Sequence, residues 1–454
     1  MRKRVRILGL PVAAVLLVGC AGGTASSKNA TAPRTTSEPS LAAGAANLTP
    51  SGPRLLDAAP GSESTATAPD FEPLPGAKAY FGTIGRAAYR IEIPLHWNGD
   101  LLLWAHAVRG WGPEVSTENP PLALRQVLVD QGYAWGASSF SENGYAPGIG
   151  TNDTLMLKQH FTQQFGHPQR TYVAGSSMGG NIVTLSLENF PDEYDGGLSL
   201  CGAIAGEEEI DYLAAWAMAA EFIGGVEFPI GQGQATASAV LQSYILPALG
   251  PVEAPTPKGR AFASVIRNLT GGPRPFFSEG YRQKYAGNFG LVAGDPDRIL
   301  PMTRASTNEG ADYQADPGLG FDGDVLNGAV RRLPADPTVR SVTTHPDTAP
   351  TTGQLSDPLL TLHETGDLTV PISAEQSYRR KTEAADAGDL LVQRIIRSGG
   401  HCEFSDIEIV QAWNDLAGWV AGKKKPAGDN VIGDLSDAGR TFTDPLRAND
   451  PGNK

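Results

Sequence analysis

The chain has 454 residues, 41% of them hydrophobic, so it is long enough to bury a large core. Its formal net charge of −13 argues against a nucleic-acid partner, because phosphate binding needs a basic surface. The 54 glycines and 35 prolines indicate many turns and exclude an architecture of long helical bundles. This acidic balance is typical of a soluble protein, and we expect a monomer.

The N-terminus has the pattern of an export signal. Basic residues near the start precede an apolar stretch at 7–18, which is too short to span a bilayer as a permanent helix. The string Leu17-Val18-Gly19-Cys20 then resembles the bacterial lipobox, whose cysteine carries lipid in the mature protein. We therefore expect a signal peptide at 1–19, lipidation of Cys20, and an exported cell-envelope lipoprotein that is membrane-anchored or released extracellularly. An ordinary signal peptide with an incidental cysteine is the alternative.

Residues 20–68 are rich in alanine, serine, threonine, glycine and proline, which predicts a flexible lipidated tether. The folded part of the chain is expected to begin near Phe71. Apolar alternation or continuous apolar runs then predict strands at 89–93, 101–105, 133–137, 171–174, 197–201, 359–362 and 390–396. Helical patterns are found at 122–131, 151–165, 179–189, 207–223, 373–385 and 406–421, with a cap for the second helix at 152–153.

Strands and helices alternate at βαβ spacing, which predicts a mostly parallel central sheet with helices on both faces. The alternation stops between residues 206 and 344, which we interpret as an inserted cap domain. The core is then formed by 69–205 and 345–425. The polar, glycine- and aspartate-rich segment 426–454 is expected to be a loose C-terminal tail.

The string Gly175-Ser176-Ser177-Met178-Gly179 matches G-x-S-x-G and lies between an apolar strand and a helix. A sharp strand-to-helix turn strains the serine backbone and needs small neighbours on either side, so this context favours Ser177 as a nucleophile. The helix that follows directs free N–H groups and a positive dipole end to the site, which makes the Met178 N–H one oxyanion donor.

A nucleophilic serine needs a histidine as its base and an acid that orients the histidine. When the serine lies on such a strand-to-helix turn, the acid follows it in the chain and the histidine comes last. His401 lies in a glycine-containing loop after the last strand, where the base is required, whereas His363 lies within a strand and is expected to pack there. Asp367 comes just after the strand at 359–362 and is the predicted acid. Glu364 is the runner-up.

The second oxyanion donor is expected in the loop after the strand at 101–105. Val108 is our choice for this N–H, with Ala107 as the neighbouring alternative. His106 is expected to be a structural residue that holds the loop.

Three strings together resemble the α/β-hydrolase superfamily of serine esterases. They are Gly175-Ser176-Ser177-Met178-Gly179-Gly180, Thr365-Gly366-Asp367-Leu368-Thr369-Val370-Pro371 and Gly399-Gly400-His401-Cys402-Glu403-Phe404. The nearer likeness is to secreted bacterial esterases related to tannases and feruloyl esterases, and it covers roughly residues 70–450. It implies an α/β-hydrolase fold and carboxylic ester substrates. The chain departs from this pattern at His106-Ala107, where His-Gly is frequent, which leaves the second oxyanion donor open.

Cys201 and Cys402 remain if Cys20 is lipidated, and export would allow them to form a disulfide. Cys402 follows His401, and Cys201 ends a strand near the expected site, so a bridge would tie the base loop to the sheet. In tannase-like enzymes a disulfide also holds the histidine loop, although its partner lies beside the serine, where this chain has Ser176. Two buried free thiols are the alternative.

We find no zinc-type spacing and no phosphate-binding glycine loop, so we expect neither metal nor cofactor. The sequence therefore predicts ester hydrolysis through an acyl-enzyme, acting on a small-molecule or polymeric ester. The alternatives are a peptidase or amidase of the same fold, a polyester or polymer-ester depolymerase, and a catalytically inactive surface-binding protein.

Overall fold

The computed structural model describes residues 65–66, 71–110, 112–293, 304–341, 346–447 and 450. The predicted signal peptide, the lipidation site Cys20 and nearly all of the predicted tether lie outside these residues and stay predictions. Within these ranges, no helix combines the length and the apolar character needed to cross a lipid bilayer.

An eight-stranded sheet forms the centre of the fold. Its strands, labelled in chain order, are β1 (Ala77–Ile84), β2 (Ala87–Pro94), β3 (Asp100–Ala105), β4 (Ala134–Ser138), β5 (Arg170–Ser176), β6 (Gly196–Leu200), β7 (Leu359–Glu364) and β8 (Leu391–Ile396). A separate parallel pair joins Thr65–Ala66 to Glu114–Val115. Sequence patterns missed β1, because it is an edge strand with only Ile84 fully buried.

The strand order across the sheet is β8-β7-β6-β5-β3-β4-β2-β1. All neighbouring pairs from β8 to β4 are parallel, whereas β2 runs antiparallel to both β4 and β1. The prediction of a mostly parallel sheet is thus confirmed. Because β5, β7 and β8 are parallel, their carboxyl ends meet at one edge of the sheet, and the turns that follow them share that edge.

Helices surround the sheet and fill the insertion between β6 and β7. They are α1 (Leu122–Asp130), α2 (Pro147–Phe165), α3 (Met178–Asn189), α4 (Glu208–Gly224), α5 (Gln234–Val240), α6 (Leu246–Leu249), α7 (Pro257–Leu269), α8 (Phe277–Lys284), α9 (Gly287–Ala293), α10 (Gly323–Ala329), α11 (Ser373–Ala384) and α12 (Asp406–Val420). A π-helical turn, Leu241–Ile245, connects α5 to α6, and short 3-10 turns occur at Pro346–Thr348 and Gly388–Leu390.

Both faces of the sheet are covered, because side chains of each central strand alternate between them. In β3, Leu102 and Trp104 belong to a core cluster that includes residues of α1 and α12. Leu101 and Leu103 belong to a second cluster with residues of α2 and α3. A strand buried on both sides reads as a continuous apolar run, which is the pattern at 101–105.

The insertion between β6 and β7 buries a core of its own. Trp216 of α4 is central to it and has ring contacts with Phe262, Tyr281 and Phe289 at centroid distances of 5.5 to 6.2 Å. After its acidic first turn, α4 is buried on almost every side, as expected of a helix whose other residues are mostly apolar. The predicted cap range, 206–344, encloses α4 to α10.

The start of α2 differs from the prediction. The helix begins at Pro147, and residues 152–153 lie inside it, so they do not cap its start. Proline at the first helical position provides a favourable backbone angle. The carboxylate of Asp347, from a distant segment, accepts the N–H groups of Gly148 and Ile149. A cap supplied across the fold leaves no signal in the local sequence.

The expectation of a loose C-terminal tail is wrong for residues 426–447. Val431 and Leu435 are buried in a cluster with Ile372 and Ile395. The polar composition of this segment did not indicate its packing against the core. A few apolar residues are enough to hold such a short segment in place.

The same segment covers β8, the strand at the edge of the sheet. The N–H of Asp429 donates to the carbonyl of Gln393, and the N–H of Ile395 donates to the Asp429 carboxylate. An open strand edge has unpaired backbone groups that attract other chains. The C-terminal segment therefore completes this edge.

Asp450 anchors the end of this segment through a buried ion pair with Arg397 at 2.5 and 2.7 Å. We predict that Asp450→Ala lowers the free energy of unfolding by about 3 kcal/mol, because the buried guanidinium loses its ionic partner. Urea denaturation followed by circular dichroism measures this loss. Asp437→Ala removes an exposed ion pair to Arg440 and is the control, with little change expected. Equal effects of the two variants would contradict the prediction.

Candidate active site

Ser177 occupies the turn between β5 and α3. β5 ends at Ser176, α3 begins at Met178, and Ser177 between them has φ 56° and ψ −118°. This backbone conformation is costly for a residue with a Cβ and persists only where the surroundings enforce it. The Ser177 N–H donates to the carbonyl of Leu200 in β6, and its carbonyl accepts the N–H of Gly180. The turn is thus held from both sides.

Gly175 and Gly179 let three backbone segments meet at this turn. A Cβ on Gly175 would lie 2.6 Å from the Gly179 oxygen and 2.7 Å from the oxygen of Ala105. A Cβ on Gly179 would lie 2.1 Å from the same Ala105 oxygen. Neither position can hold a side chain without moving β3 away from α3. The glycines of the G-x-S-x-G motif are therefore a packing requirement of the turn.

The three residues predicted as nucleophile, base and acid meet in space. His401 Nε2 lies 2.9 Å from Ser177 Oγ, and His401 Nδ1 lies 2.5 Å from Asp367 Oδ2. Ser177 is 9% exposed and Asp367 is fully buried, so most of this chain of hydrogen bonds is shielded from water. The geometry allows proton transfer from the hydroxyl to the imidazole, with the carboxylate fixing the ring.

The turn after β7 orients the carboxylate of Asp367. Its Oδ1 accepts the N–H groups of Thr369 at 2.7 Å and Val370 at 3.3 Å, which leaves Oδ2 for His401. Two backbone donors to one oxygen fix the orientation of the carboxylate. The sequence Thr365-Gly366-Asp367-Leu368-Thr369-Val370-Pro371 thus forms a compact turn around the acid.

Glu364, the runner-up for the acid, has a different environment. Its Oε1 accepts the N–H of Glu403. Burial, and then the negative charge of Asp367, raise the pKa of Glu364 well above its usual value. It is Asp367 Oδ2 that lies 2.5 Å from His401 Nδ1, so Asp367 is the partner of the base.

His363 is a second histidine beside Asp367 whose importance the sequence did not reveal. Its Nε2 lies 2.9 Å from the Val370 carbonyl and 4.0 Å from Asp367 Oδ2, and its Nδ1 lies 3.4 Å from Glu375 Oε1. Burial lowers the pKa of His363, but the nearby acidic side chains of Glu375 and Asp367 outweigh burial and raise it. The two acidic side chains therefore favour the protonated form of the His363 ring. Only the packing of α11, which carries Glu375, brings these groups together.

The first N–H groups of α3 are available to an oxyanion. Met178 is the first residue of the helix, where backbone donors have no acceptor within the helix. Its side chain is fixed as well, because the Ala146 N–H contacts Met178 Sδ at 3.1 Å. Val108 lies in the loop after β3 with its side chain 39% exposed, and its role as second donor stays a prediction.

His106 holds the loop after β3, in the structural role that we expected for it. Its Nε2 lies 3.1 Å from the Ser139 carbonyl, and its ring stacks on Phe140 with centroids 4.1 Å apart. Burial lowers the pKa of His106 to about 4, so the ring is neutral at pH 7.

Cys201 and Cys402 form a disulfide with a Cα–Cα distance of 5.2 Å, which confirms the predicted pairing. Cys201 directly follows β6 and Cys402 directly follows His401, so the bridge ties the loop of the base to the sheet. The two sulfurs and a ring nitrogen of His401 lie within 4.8 Å of one another. Sulfurs bonded to each other offer no thiolate, so this trio is not a metal site.

No protein-family model matches the chain. It is 22% identical over 422 residues to an o-phthalyl amidase from Xanthobacter agilis, with 78% of this chain and 90% of the relative covered. Among solved structures, it is similar to feruloyl esterase B from Aspergillus oryzae, at 13% identity and a TM-score of 0.42, covering 76% of this chain and 80% of that one. It is also similar to an acylaminoacyl peptidase, at 13% identity and a TM-score of 0.39, covering 78% of this chain but only 43% of that one.

The sheet and the site define the class of protein. A mostly parallel sheet with helices on both faces carries a serine on a strained strand-to-helix turn, with the acid and the histidine following later in the chain. This is the arrangement of the α/β-hydrolase fold. The nearer likeness to tannases stays a prediction.

The raised pKa of His363 gives a pH dependence with a defined sign. Its stabilising contribution is complete below the unfolded-state pKa of about 6.5 and is lost as pH rises through the folded-state pKa. We therefore predict that His363→Gln lowers the free energy of unfolding, relative to the unsubstituted protein, more at acidic than at alkaline pH. Urea denaturation at several pH values measures this difference.

His106→Gln is the matched variant of opposite sign. Burial lowers the pKa of His106 to about 4, so its contribution is lost as pH falls from about 6.5 toward that value. The difference between the unsubstituted protein and His106→Gln should therefore shrink in acid. The interpretation of His363 fails if both variants show the same trend with pH.

Proposed function

We propose that the protein hydrolyses carboxylic esters through an acyl-enzyme formed on Ser177. The observation that carries the proposal is the continuous hydrogen-bonded chain from Ser177 Oγ through His401 to Asp367. Each member has the chemistry that its position requires: a hydroxyl that can attack, an imidazole that can accept its proton, and a carboxylate that orients the ring.

In this mechanism His401 Nε2 takes the proton of Ser177 Oγ as that oxygen attacks the ester carbonyl. Asp367 holds the Nδ1 proton of the imidazole and stabilises the imidazolium that forms. The Met178 N–H, together with the predicted Val108 N–H, donates to the oxyanion. His401 then returns its proton to the leaving alcohol. Water, activated by the same imidazole, releases the acid and frees Ser177.

Two features favour an active enzyme over an inactive binding protein with the same fold. The strained backbone of Ser177 is retained at a cost in stability, which a binding protein would not need at this position. The acid and the base are also oriented by contacts of their own, two backbone donors on Asp367 and the disulfide next to His401. Such supporting contacts are typical of a site that performs chemistry.

An amide substrate is the second candidate, and it rests on one observation. The curated relative that aligns with 78% of this chain is named an o-phthalyl amidase. The same triad can cleave an amide if His401 protonates the departing nitrogen. The phthalyl group in that name is a benzoyl group with a second carboxyl group on the ring. Substrates with this acyl group are therefore worth testing beside simple esters. We also propose that the full chain is located at the cell envelope, as its N-terminal sequence predicts. Polymeric esters are proposed as substrates beside small ones.

Ser177→Ala should reduce ester turnover by roughly 10⁴-fold or more, because it removes the atom that attacks the carbonyl. Steady-state hydrolysis of p-nitrophenyl esters measures the loss, and a fluorophosphonate probe should label the unsubstituted protein but not Ser177→Ala. Ser176→Ala, one residue earlier, is the control and should keep both properties. If the probe labels Ser177→Ala as well, or neither protein hydrolyses any ester, the proposal is wrong.

Paired substrates with one acyl group distinguish the two candidates. We expect kcat/KM to be higher for p-nitrophenyl benzoate than for the p-nitroanilide of benzoic acid. The reason is that p-nitrophenol departs more readily than p-nitroaniline. The comparison is repeated with a 2-carboxybenzoyl acyl group. A higher kcat/KM for the anilide in either pair, abolished by Ser177→Ala, would assign the protein as an amidase instead.

A further inference from the structure

The insertion between β6 and β7 contacts the turn that holds Asp367. The side chain of Leu368, the residue after the acid, is fully buried in the hydrophobic core of the insertion. A Cβ on Gly280 of α8 would lie 1.7 Å from the oxygen of Gly366, the residue before the acid. The backbone of the insertion therefore touches the turn on one side of Asp367, and the core of the insertion holds the residue on the other side.

Two polar side chains of the insertion bind the carbonyl of Leu368. The hydroxyl of Tyr212 in α4 donates to it at 2.9 Å, and the amide of Asn288 in α9 donates to it at 2.7 Å. The same amide also donates to the Tyr212 hydroxyl at 3.0 Å, so the three groups form a closed set of hydrogen bonds. Burial raises the pKa of Tyr212 well above its usual value, so the hydroxyl keeps the proton that it donates.

This carbonyl belongs to the peptide group whose N–H orients the acid. The peptide joins Leu368 to Thr369, and the N–H of Thr369 donates to Asp367 Oδ1 at 2.7 Å. A peptide group is planar, so donors that fix the direction of its C=O also fix the direction of its N–H. They polarise the group as well, which strengthens the N–H as a donor. One rigid unit thus connects the insertion to the carboxylate whose Oδ2 lies 2.5 Å from His401 Nδ1.

We propose that Tyr212 and Asn288 are positioning residues for Asp367. They act through the peptide between Leu368 and Thr369, which directs its N–H at the carboxylate that orients the base. The proposal rests on the function proposed above for the serine, and it makes the insertion a part of the machinery that carries out the reaction. Since neither side chain needs to touch the substrate, the loss of either should lower kcat and leave KM unchanged.

Tyr285, which directly follows α8, is a matched control for Tyr212. Both side chains are 9% exposed, and the Tyr285 hydroxyl also donates to a backbone carbonyl, that of Gly250, at 2.7 Å. Gly250 lies between α6 and α7, so this bond connects two parts of the insertion to each other. Tyr212→Phe and Tyr285→Phe each remove one buried hydroxyl, and we expect them to lower the urea midpoint of unfolding by similar amounts.

Steady-state hydrolysis of p-nitrophenyl esters separates the two variants. Tyr212→Phe should lower kcat about 10-fold with KM unchanged, because a small displacement of the group that orients the base slows proton transfer. Asn288→Ala removes the other donor and should have a similar effect, and the double variant should lose more kcat than either. Tyr285→Phe should keep kcat. The proposal is overturned if Tyr212→Phe and Asn288→Ala keep kcat, or if Tyr285→Phe loses as much.

Proton NMR of the folded protein provides a readout that needs no substrate. The proton between His401 Nδ1 and Asp367 Oδ2 is expected far downfield, and Asp367→Ala assigns its resonance by removing it. Tyr212→Phe should shift this resonance, and Tyr285→Phe should not. A shift in Tyr212→Phe alone, with no ester hydrolysed by any variant, would refute the function of Ser177 and support the positioning role. Ester hydrolysis with both kcat and the resonance unchanged in Tyr212→Phe would refute the positioning role alone.

Discussion

The close approach of three backbone segments around Ser177 is the constraint on which the site depends. The carbonyl of Ala105 at the end of β3 would contact any side chain placed at Gly175 or Gly179. Without a Cβ at these positions, β5 can turn into α3 within one residue, and Ser177 takes the strained conformation that presents its hydroxyl to His401. The helix N-terminus that serves an oxyanion begins at the next residue, so one turn positions both functions.

Charge balance is the second constraint, because the acid of the triad is fully buried. Burial, and then the charge of Asp367, raise the pKa values of Glu364 and Glu209. His363 Nε2 lies 4.0 Å from Asp367 Oδ2, and its raised pKa favours the protonated ring beside that carboxylate. Arg274, whose pKa burial lowers to about 10, remains a cation in the same region and donates to the carbonyl of Thr365.

Local patterns predicted the parts of this protein that are governed by local physics. Continuous apolar runs identified β3 and β7, and the glycines around Ser177 identified the turn, because burial on both faces and a strained backbone each restrict residue type. Chain order then placed the base at His401 and the acid at Asp367. Patterns failed where the partner is distant: β1 is a mostly unburied edge strand, the cap of α2 comes from Asp347, and the segment 426–447 is fixed by Val431 and Leu435 against β8.

The sequence by itself thus determined the fold class, the nucleophile and the order of its partners, because a strand-to-helix turn without side chains and a buried parallel sheet leave few alternatives. Tertiary structure decided what surrounds them. His363 and Glu209 appear in the sequence as a strand residue and as one of three consecutive glutamates. Only the packing of α11 and α4 places the first between Glu375 and Asp367 and buries the second. Charge interactions act through space, so they depend on distances that chain position does not record.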